Sequence, residues 1–248
     1  MIKIKSLHEI EKMRAAGKIV AEVFEILKPH IVPGITTREL DKLAAEHIKN
    51  SNAKCSFYNY SGYPGHICIS VNEEVIHGIP GKRTLKDGDI VSVDVGACVD
   101  GYHGDAARTF AVGEISLDAK KLIEITEKSF FAGIEFARPG NRLGDISANV
   151  QKVVEENGFS VVRSFVGHGI GSMLHEEPEV PNFGTEGRGP RLIPGMTIAV
   201  EPMVNAGTYQ VNTLSDDWTV VTADGKLSAH YENTILITNN GAEILTKC

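Results

Sequence analysis

The sequence predicts a mixed α/β fold built from one duplicated half, and three observations carry that prediction. The order helix, Pro-Gly, helix, glycine-punctuated strands is written twice along 248 residues. The pair Pro33-Gly34 recurs as Pro139-Gly140, an offset of 106. The run from Leu85 to Asp94 (LKDGDIVSVD) recurs from Leu192 to Glu201 (LIPGMTIAVE), an offset of 107. A period this long does not describe a short-repeat solenoid. It describes two similar halves, about 1–112 and 113–248, packed around a shared sheet as a single domain 1–248. A chain of this length can bury one large core.

Each element has a local reason. Ser6 to Lys28 places Leu7, Ile10, Met13, Ile19, Val20, Val23, Phe24 and Leu27 at helical spacing and stops before Pro29. After Pro33-Gly34, Thr36 and Glu39 form a capping box that opens a second helix through about Lys49. From Ala53 to Gly65 the chain is aromatic and rich in turn residues, and Ile67 to Val71 reads as a strand. His77-Gly78-Ile79-Pro80 reads as a loop. Val91 to Phe110 then reads as a β-hairpin whose two-residue turn is Asp100-Gly101. Leu117 to Ala137 and Leu143 to Asn157 read as helices around the second Pro-Gly break. Strands are expected over Val161 to Val166, Thr197 to Val204, Trp218 to Thr222 and Tyr231 to Thr238.

Composition bounds the function. Hydrophobic residues are 42% and charged residues 23%, ordinary for a globular protein. A net charge of −7 with no basic stripe argues against a DNA-binding role. The N-terminus has no apolar leader and no stretch reaches the roughly 20 apolar residues of a membrane span, so no membrane partner is expected. Cys55, Cys68, Cys98 and Cys248 form no CxxC pair, which fits a reducing cytoplasm.

The hairpin raises the chemical question. With Asp100-Gly101 as the turn, Asp94 lies opposite Ala107, and Asp105 sits two residues away on the same face. Two carboxylates among valines and alanines are costly unless a proton or a cation lies between them. Two readings stand on the hairpin alone: a hard-cation site, or a solvent-facing Asp94 beside a turn-capping Asp105. The duplication maps Asp94 onto Glu201. His168, flanked by glycines, and Glu232, in a Tyr-Glu-Asn-Thr-Ile run, complete four carboxylates and one imidazole in strand contexts. That donor set suits a pair of divalent first-row ions better than a thiolate zinc site. Taken singly, each residue also has an ordinary structural explanation. The glycines around His168 lack the G-x-G-x-x-G spacing of a dinucleotide loop, and no G-x-S-x-G elbow is present.

The sequence strongly resembles the type I methionine aminopeptidases over nearly its whole length. The carriers are Asn72 to Pro80 (NEEVIHGIP), Asp87 to Ile90 with Asp94, Gly101 to Asp105 (GYHGD), Gly167 to Gly171 (GHGIG) with His175 to Pro178, Glu201-Pro202-Met203, and Ser228 to Glu232 (SAHYE). The resemblance implies the pita-bread fold, an antiparallel-rich sheet covered by helices about a pseudo-twofold, in a short form that starts at the catalytic domain. It implies dinuclear-metal hydrolysis of the first peptide bond of nascent chains bearing N-terminal Met, favouring small second residues. By resemblance Asp94 is a two-oxygen ligand of one metal, Asp105 and Glu232 are bridges, and His168 and Glu201 ligate the second. A bridging water would attack the carbonyl, with Glu201 moving its proton. His175 is similar to the histidine that bonds the scissile amide, and His77 to the one near the leaving nitrogen.

The methionine pocket implied by the resemblance falls on Phe57, Tyr60, Tyr63, Cys68, Leu174 and Trp218. Implied cofactors are two divalent ions (Co, Mn, Fe, Zn or Ni) and a monovalent cation, Na or K, near Asn72, Glu74 and Ser228. Implied partners are nascent polypeptides and a transient ribosome contact, with the enzyme a cytoplasmic monomer. Two other readings share the fold: an X-Pro aminopeptidase or prolidase, which usually brings a further N-terminal domain, and a non-catalytic peptide-binding relative, which typically loses metal ligands.

Overall fold

The computed structural model describes residues 1–247; Cys248 lies outside them. Four α-helices open the two halves in pairs: α1 (Leu7–Leu27) and α2 (Thr37–Asn50), then α3 (Leu117–Ile134) and α4 (Leu143–Glu156). The expected capping box forms at Thr36/Glu39, and a second, not anticipated, forms at Ser6/Glu9, with each cap side chain accepting from the backbone of the third helical residue. These caps satisfy donors that the first helical turn cannot pair internally.

The hairpin is as the alternation predicts. Strands Ile90–Val99 and Tyr102–Ala111 pair antiparallel, with Asp94 opposite Ala107 and Gly96 opposite Asp105. Asp100 and Gly101 adopt φ of 48° and 80°, the left-handed pair a two-residue turn of this kind requires. Cys68–Val71 extends the sheet on the other edge and sets Cys68 against Asp94.

A five-stranded sheet serves the second half, ordered 241–244, 233–238, 197–200, 167–169, 176–180. Two three-stranded sheets, one around Met203–Asn205 and one around Val220–Thr222, complete the structure. Every strand pairing among the described residues is antiparallel. This is the mixed, antiparallel-rich architecture the sequence predicts.

Several strands differ from their expected bounds. The run Thr197 to Val204 is two strands, Thr197–Val200 and Met203–Asn205, in different sheets. Pro202 cannot donate to a ladder, and the chain changes sheet there. Tyr231 to Thr238 is likewise shortened to Asn233–Thr238, preceded by a separate strand Ser228–His230. Val161 to Val166 pairs only over Ser160–Val161. Glu74–Ile76, between the expected strand and the His77–Pro80 loop, is a strand because it pairs with Val220–Thr222.

Apolar burial follows the duplication. One core cluster runs from Ile19 to Val112 and packs α1 and α2 on the hairpin sheet. A second runs from Phe130 to Ile237 and packs α3 and α4 on the five-stranded sheet. A third, including Ile10, Met13, Phe57, Tyr63, Leu174 and Leu236, joins residues from both halves. Burial of this kind contributes roughly 25 cal/mol per Å² of apolar surface. No helix among the described residues is long and apolar enough to cross a membrane.

Candidate active site

The hairpin brings its two carboxylates to the seam between the halves. Backbone pairing there is continuous: Ala107 and Glu232 exchange N–H···O bonds of 3.3 and 2.9 Å. Asp105 N–H donates to Thr234 Oγ1, and that hydroxyl donates back to the Asp105 carbonyl, both at 2.9 Å. Arg108 donates from Nη1 to the Glu232 carbonyl and from Nη2 to Asn233 Oδ1. Glu232 is thereby fixed beside Asp94 and Asp105. His168 enters from the glycine-flanked strand Gly167–Gly169, which pairs with Thr197–Val200, and Glu201 follows directly on that partner strand.

The resulting floor is almost closed to water. Asp105 is 3% exposed, Glu232 2% and His168 9%. His168 Nε2 lies 3.9 Å from Asp105 Oδ2 and 3.6 Å from Glu201 Oε1. Buried Asp94 Oδ1, Asp105 Oδ1 and Glu232 Oε1 have no hydrogen-bond partner. Burial pushes the Asp94 carboxyl up to about 7. Burial, and then repulsion from neighbouring carboxylates, pushes Asp105, Glu201 and Glu232 well above the usual range. Burial lowers His168 to about 3, with His175 adding to the effect. A neutral imidazole among carboxylates with orphaned oxygens fits divalent cations, whose charge removes the cost of gathering these groups. Two overlapping groups, Asp105–His168–Glu232 and Asp94–His230–Glu232, each place their donor atoms within 4.8 Å of one another.

His230 is the residue that sequence reasoning passed over. It lies within the SAHYE motif that carries the resemblance, but the resemblance gives it no role. Its Nε2 is buried and unpaired, 3.7 Å from Glu232 Oε2 and 3.9 Å from Glu201 Oε2. Burial, then His77 and Arg108, lower it to about 3.

Above this floor is a cavity of about 200 Å³. Asp94, Asp105, His168, Glu201 and Glu232 line one end of it. Phe57, Tyr63, Cys68, Leu174 and Trp218 line the apolar remainder, with Tyr60, His77 and His175 at its wall. All the residues expected at the site therefore meet in one place. Ile76, Phe165 and Val166 join them without having been anticipated. Gly96 makes room for one wall, since a Cβ there would meet the Phe57 ring at 2.7 Å. Tyr63 is held by donation to the Gly78 carbonyl at 2.9 Å and stands edge-on to Trp218 at 5.1 Å.

Two histidines flank the cavity in different ways. Tyr60 Oη lies 2.7 Å from His175 Nδ1, and the His175 ring meets His168 edge-on at 4.3 Å. His77 adopts φ 59°, a left-handed conformation uncommon for a non-glycine residue. Its ring sits edge-on to Phe165 and Trp218. Burial lowers His77 to about 4 and also lowers His175, so both rings are neutral at pH 7. Asn72 and Ser228 are adjacent, the Ser228 N–H donating to the Asn72 carbonyl at 2.9 Å. Glu74 turns its carboxylate to Val71 N–H and Arg83.

Comparison with known proteins places this geometry. A methionine aminopeptidase from Clostridium perfringens is 62% identical over 246 residues, covering 99% of each chain. Methionine aminopeptidase 1 of Bacillus subtilis is 56% identical over the full length of both. The crystal structure of a methionine aminopeptidase from Thermotoga maritima superposes with a TM-score of 0.99 at 50% identity, covering all of both chains. A prolidase from Pyrococcus furiosus shares the fold at a TM-score of 0.81 and 24% identity, with this chain spanning 65% of its length. The model of metallopeptidase family M24 matches residues 11–239, across both halves and every residue of the acidic floor, and the chain belongs to that family.

Proposed function

We propose that this chain removes N-terminal methionine from peptides and nascent proteins by hydrolysing the first peptide bond, taking chains whose second residue is small. The observation that carries the reading is the pairing of a largely apolar pocket with a buried floor of orphaned carboxylate oxygens. Asp94, Asp105, His168, Glu201 and Glu232 would hold two divalent cations, with Asp105 and Glu232 shared between them. When bound, such ions supply Lewis-acid polarisation of the scissile carbonyl and lower the pKa of water.

The chain's own groups do the rest. Phe57, Tyr63, Cys68, Leu174 and Trp218 accept an unbranched thioether, for which aromatic edges and a soft thiol are favourable neighbours. Glu201, beside His168, takes a proton from the attacking water and delivers it to the leaving amine. With Tyr60 O–H donating to His175 Nδ1, the imidazole carries its proton on Nε2 and donates to the carbonyl oxygen as negative charge develops. His77 faces the leaving amide nitrogen. The family relatives named as methionine aminopeptidases over full length support this substrate over an X-Pro peptide. A ribosome contact would use the domain's own surface.

The test is release of methionine from Met-Gly-Met-Met by protein loaded with Mn, Co or Fe, compared with Met-Leu and Xaa-Pro peptides. Release from the glycine peptide, weaker release from the leucine peptide and none from Xaa-Pro is expected. Turnover of Xaa-Pro in preference, or no methionine release with any metal, overturns the proposal.

A further inference from the structure

We propose that His230 is a sixth ligand of the metal centre, giving the cation on the Asp94 side an imidazole nitrogen of its own. This rests on the reading of the acidic floor as a cation site. The ring is 2% exposed, and its Nε2 has no hydrogen-bond partner. That nitrogen is 3.7 Å from Glu232 Oε2 and 3.9 Å from Glu201 Oε2. Both separations are too long for a hydrogen bond. The Glu232 separation is short enough for its two donors to share one cation whose bonds are about 2.0–2.2 Å.

The geometry repeats that of the histidine already assigned. Asp105, His168 and Glu232 form one compact donor triplet, and Asp94, His230 and Glu232 form the other. Glu232 belongs to both, as a bridge must. Each triplet then holds one imidazole beside its carboxylates. The backbone gives His230 little freedom to do otherwise: its N–H donates to Thr109 Oγ1 at 2.9 Å, and its strand pairs His230 with Met203. A donor set with two imidazoles favours Fe, Co, Ni or Zn over Mn more strongly than one with a single imidazole.

The test counts imidazole ligands directly. Proton NMR of Co(II)-loaded, ¹⁵N-histidine-labelled protein shifts the exchangeable ring N–H of each cobalt-bound histidine far outside the ordinary range. Two such signals are expected in the wild type, one lost in His230→Gln and the other in His168→Gln. Co(II) affinity of His230→Gln should fall at least about tenfold, the loss typical even of residues that only support a ligand. A single wild-type signal, retained in His230→Gln and lost in His168→Gln, overturns the proposal while leaving the cation site intact. No shifted signal in the wild type overturns both. If His230→Gln does not fold, the wild-type count alone decides.

Discussion

Removing metal should make this protein less stable as pH rises above neutrality, the reverse of what acid denaturation leads one to expect. In the unfolded chain the carboxyls of Asp105, Glu201 and Glu232 ionise near pH 4. In the metal-free fold, burial and then mutual repulsion hold them protonated well above that range. The folded state therefore binds more protons than the unfolded one, and stability is lost as pH rises toward the folded pKa values. The buried histidines act with opposite sign. His168 and His230, lowered to about 3, and His77, lowered to about 4, add stability as pH rises toward about 6.5 and no further slope beyond. Asp94, raised to about 7, is half ionised where the useful window opens. Above about pH 8.5 the unfolded thiols begin to ionise, and buried Cys68, pushed well up, joins the same trend. Between about pH 7 and 8.5, each carboxyl that keeps its proton in the fold costs about 1.4 kcal/mol per pH unit, or about 2 kcal/mol in all. For a chain of this size that is a fall in Tm of about 4–8 °C. The assay is thermal unfolding of chelator-treated protein by circular dichroism across that window. Asp105→Asn should lose one carboxyl's share of the slope. A divalent ion at about a hundred times its Kd should add about 2.7 kcal/mol, and more at the alkaline end, where fewer protons must be displaced. A metal-free Tm that is flat or rising from pH 7 to 8.5 would refute the account of a floor held together by protons in place of cations.

His175→Ala should lower kcat by about 10²–10³ while metal content measured by elemental analysis stays unchanged, because the lost bond is made mainly in the transition state. A matching fall in metal occupancy would contradict that role. Trp218→Ala should raise KM for methionyl peptides about tenfold with little change in kcat, since it removes about 1.4 kcal/mol of apolar contact from the pocket wall; an unchanged KM would remove Trp218 from the pocket. Arg108→Met should lower stability by about 2 kcal/mol, by removing two charge-assisted bonds from acceptors that each keep one other donor, Ala107 N–H on the Glu232 carbonyl and the Thr246 hydroxyl on Asn233 Oδ1. Chemical denaturation at pH 7 reads this, and a loss below about 1 kcal/mol would show that water replaces the guanidinium.

Much of the fold was legible because its signals are local. The Thr36/Glu39 box marks a helix start within one residue, and Asp100-Gly101 sets the hairpin register that puts Asp94 across from Ala107. What sequence reasoning missed depends on partners far along the chain. Glu74–Ile76 is a strand because Val220 and Val221 come alongside it. Thr197 to Val204 is mostly apolar on both sides of Glu201-Pro202, yet its two ends belong to different sheets, and Pro202 was the available clue. The site residues were legible through the repeat and the family motifs, since no single one of them differs from an ordinary strand carboxylate. His230 lies inside one of those motifs, but neither the repeat nor the resemblance gives it a role; its place among the acids comes from the seam that also seats Glu232.

That seam explains why the duplication matters to the chemistry. The hairpin contributes Asp94 and Asp105, and the second half contributes His168, Glu201 and Glu232. A centre divided in this way is only as well placed as the joint between its parts. Here the joint consists of groups in or beside the ligand-bearing segments: the Ala107–Glu232 backbone pair, the reciprocal Asp105–Thr234 bonds, and Arg108 reaching across to Glu232 and Asn233. Arg108 is also packed face-on between Phe24 of α1 and Tyr231, so the first half's helix layer bears on the same contact. Displacing the halves would break these bonds before it separated the carboxylates. The fold thereby spends backbone hydrogen bonds, which cost little entropy once the strands are formed, on holding together charges that repel. The repeat supplies one acidic residue in or beside a strand per half, Asp94 and Glu201, and the hairpin's extra carboxylate, Asp105, sits on the same face as Asp94, at the seam with Glu232.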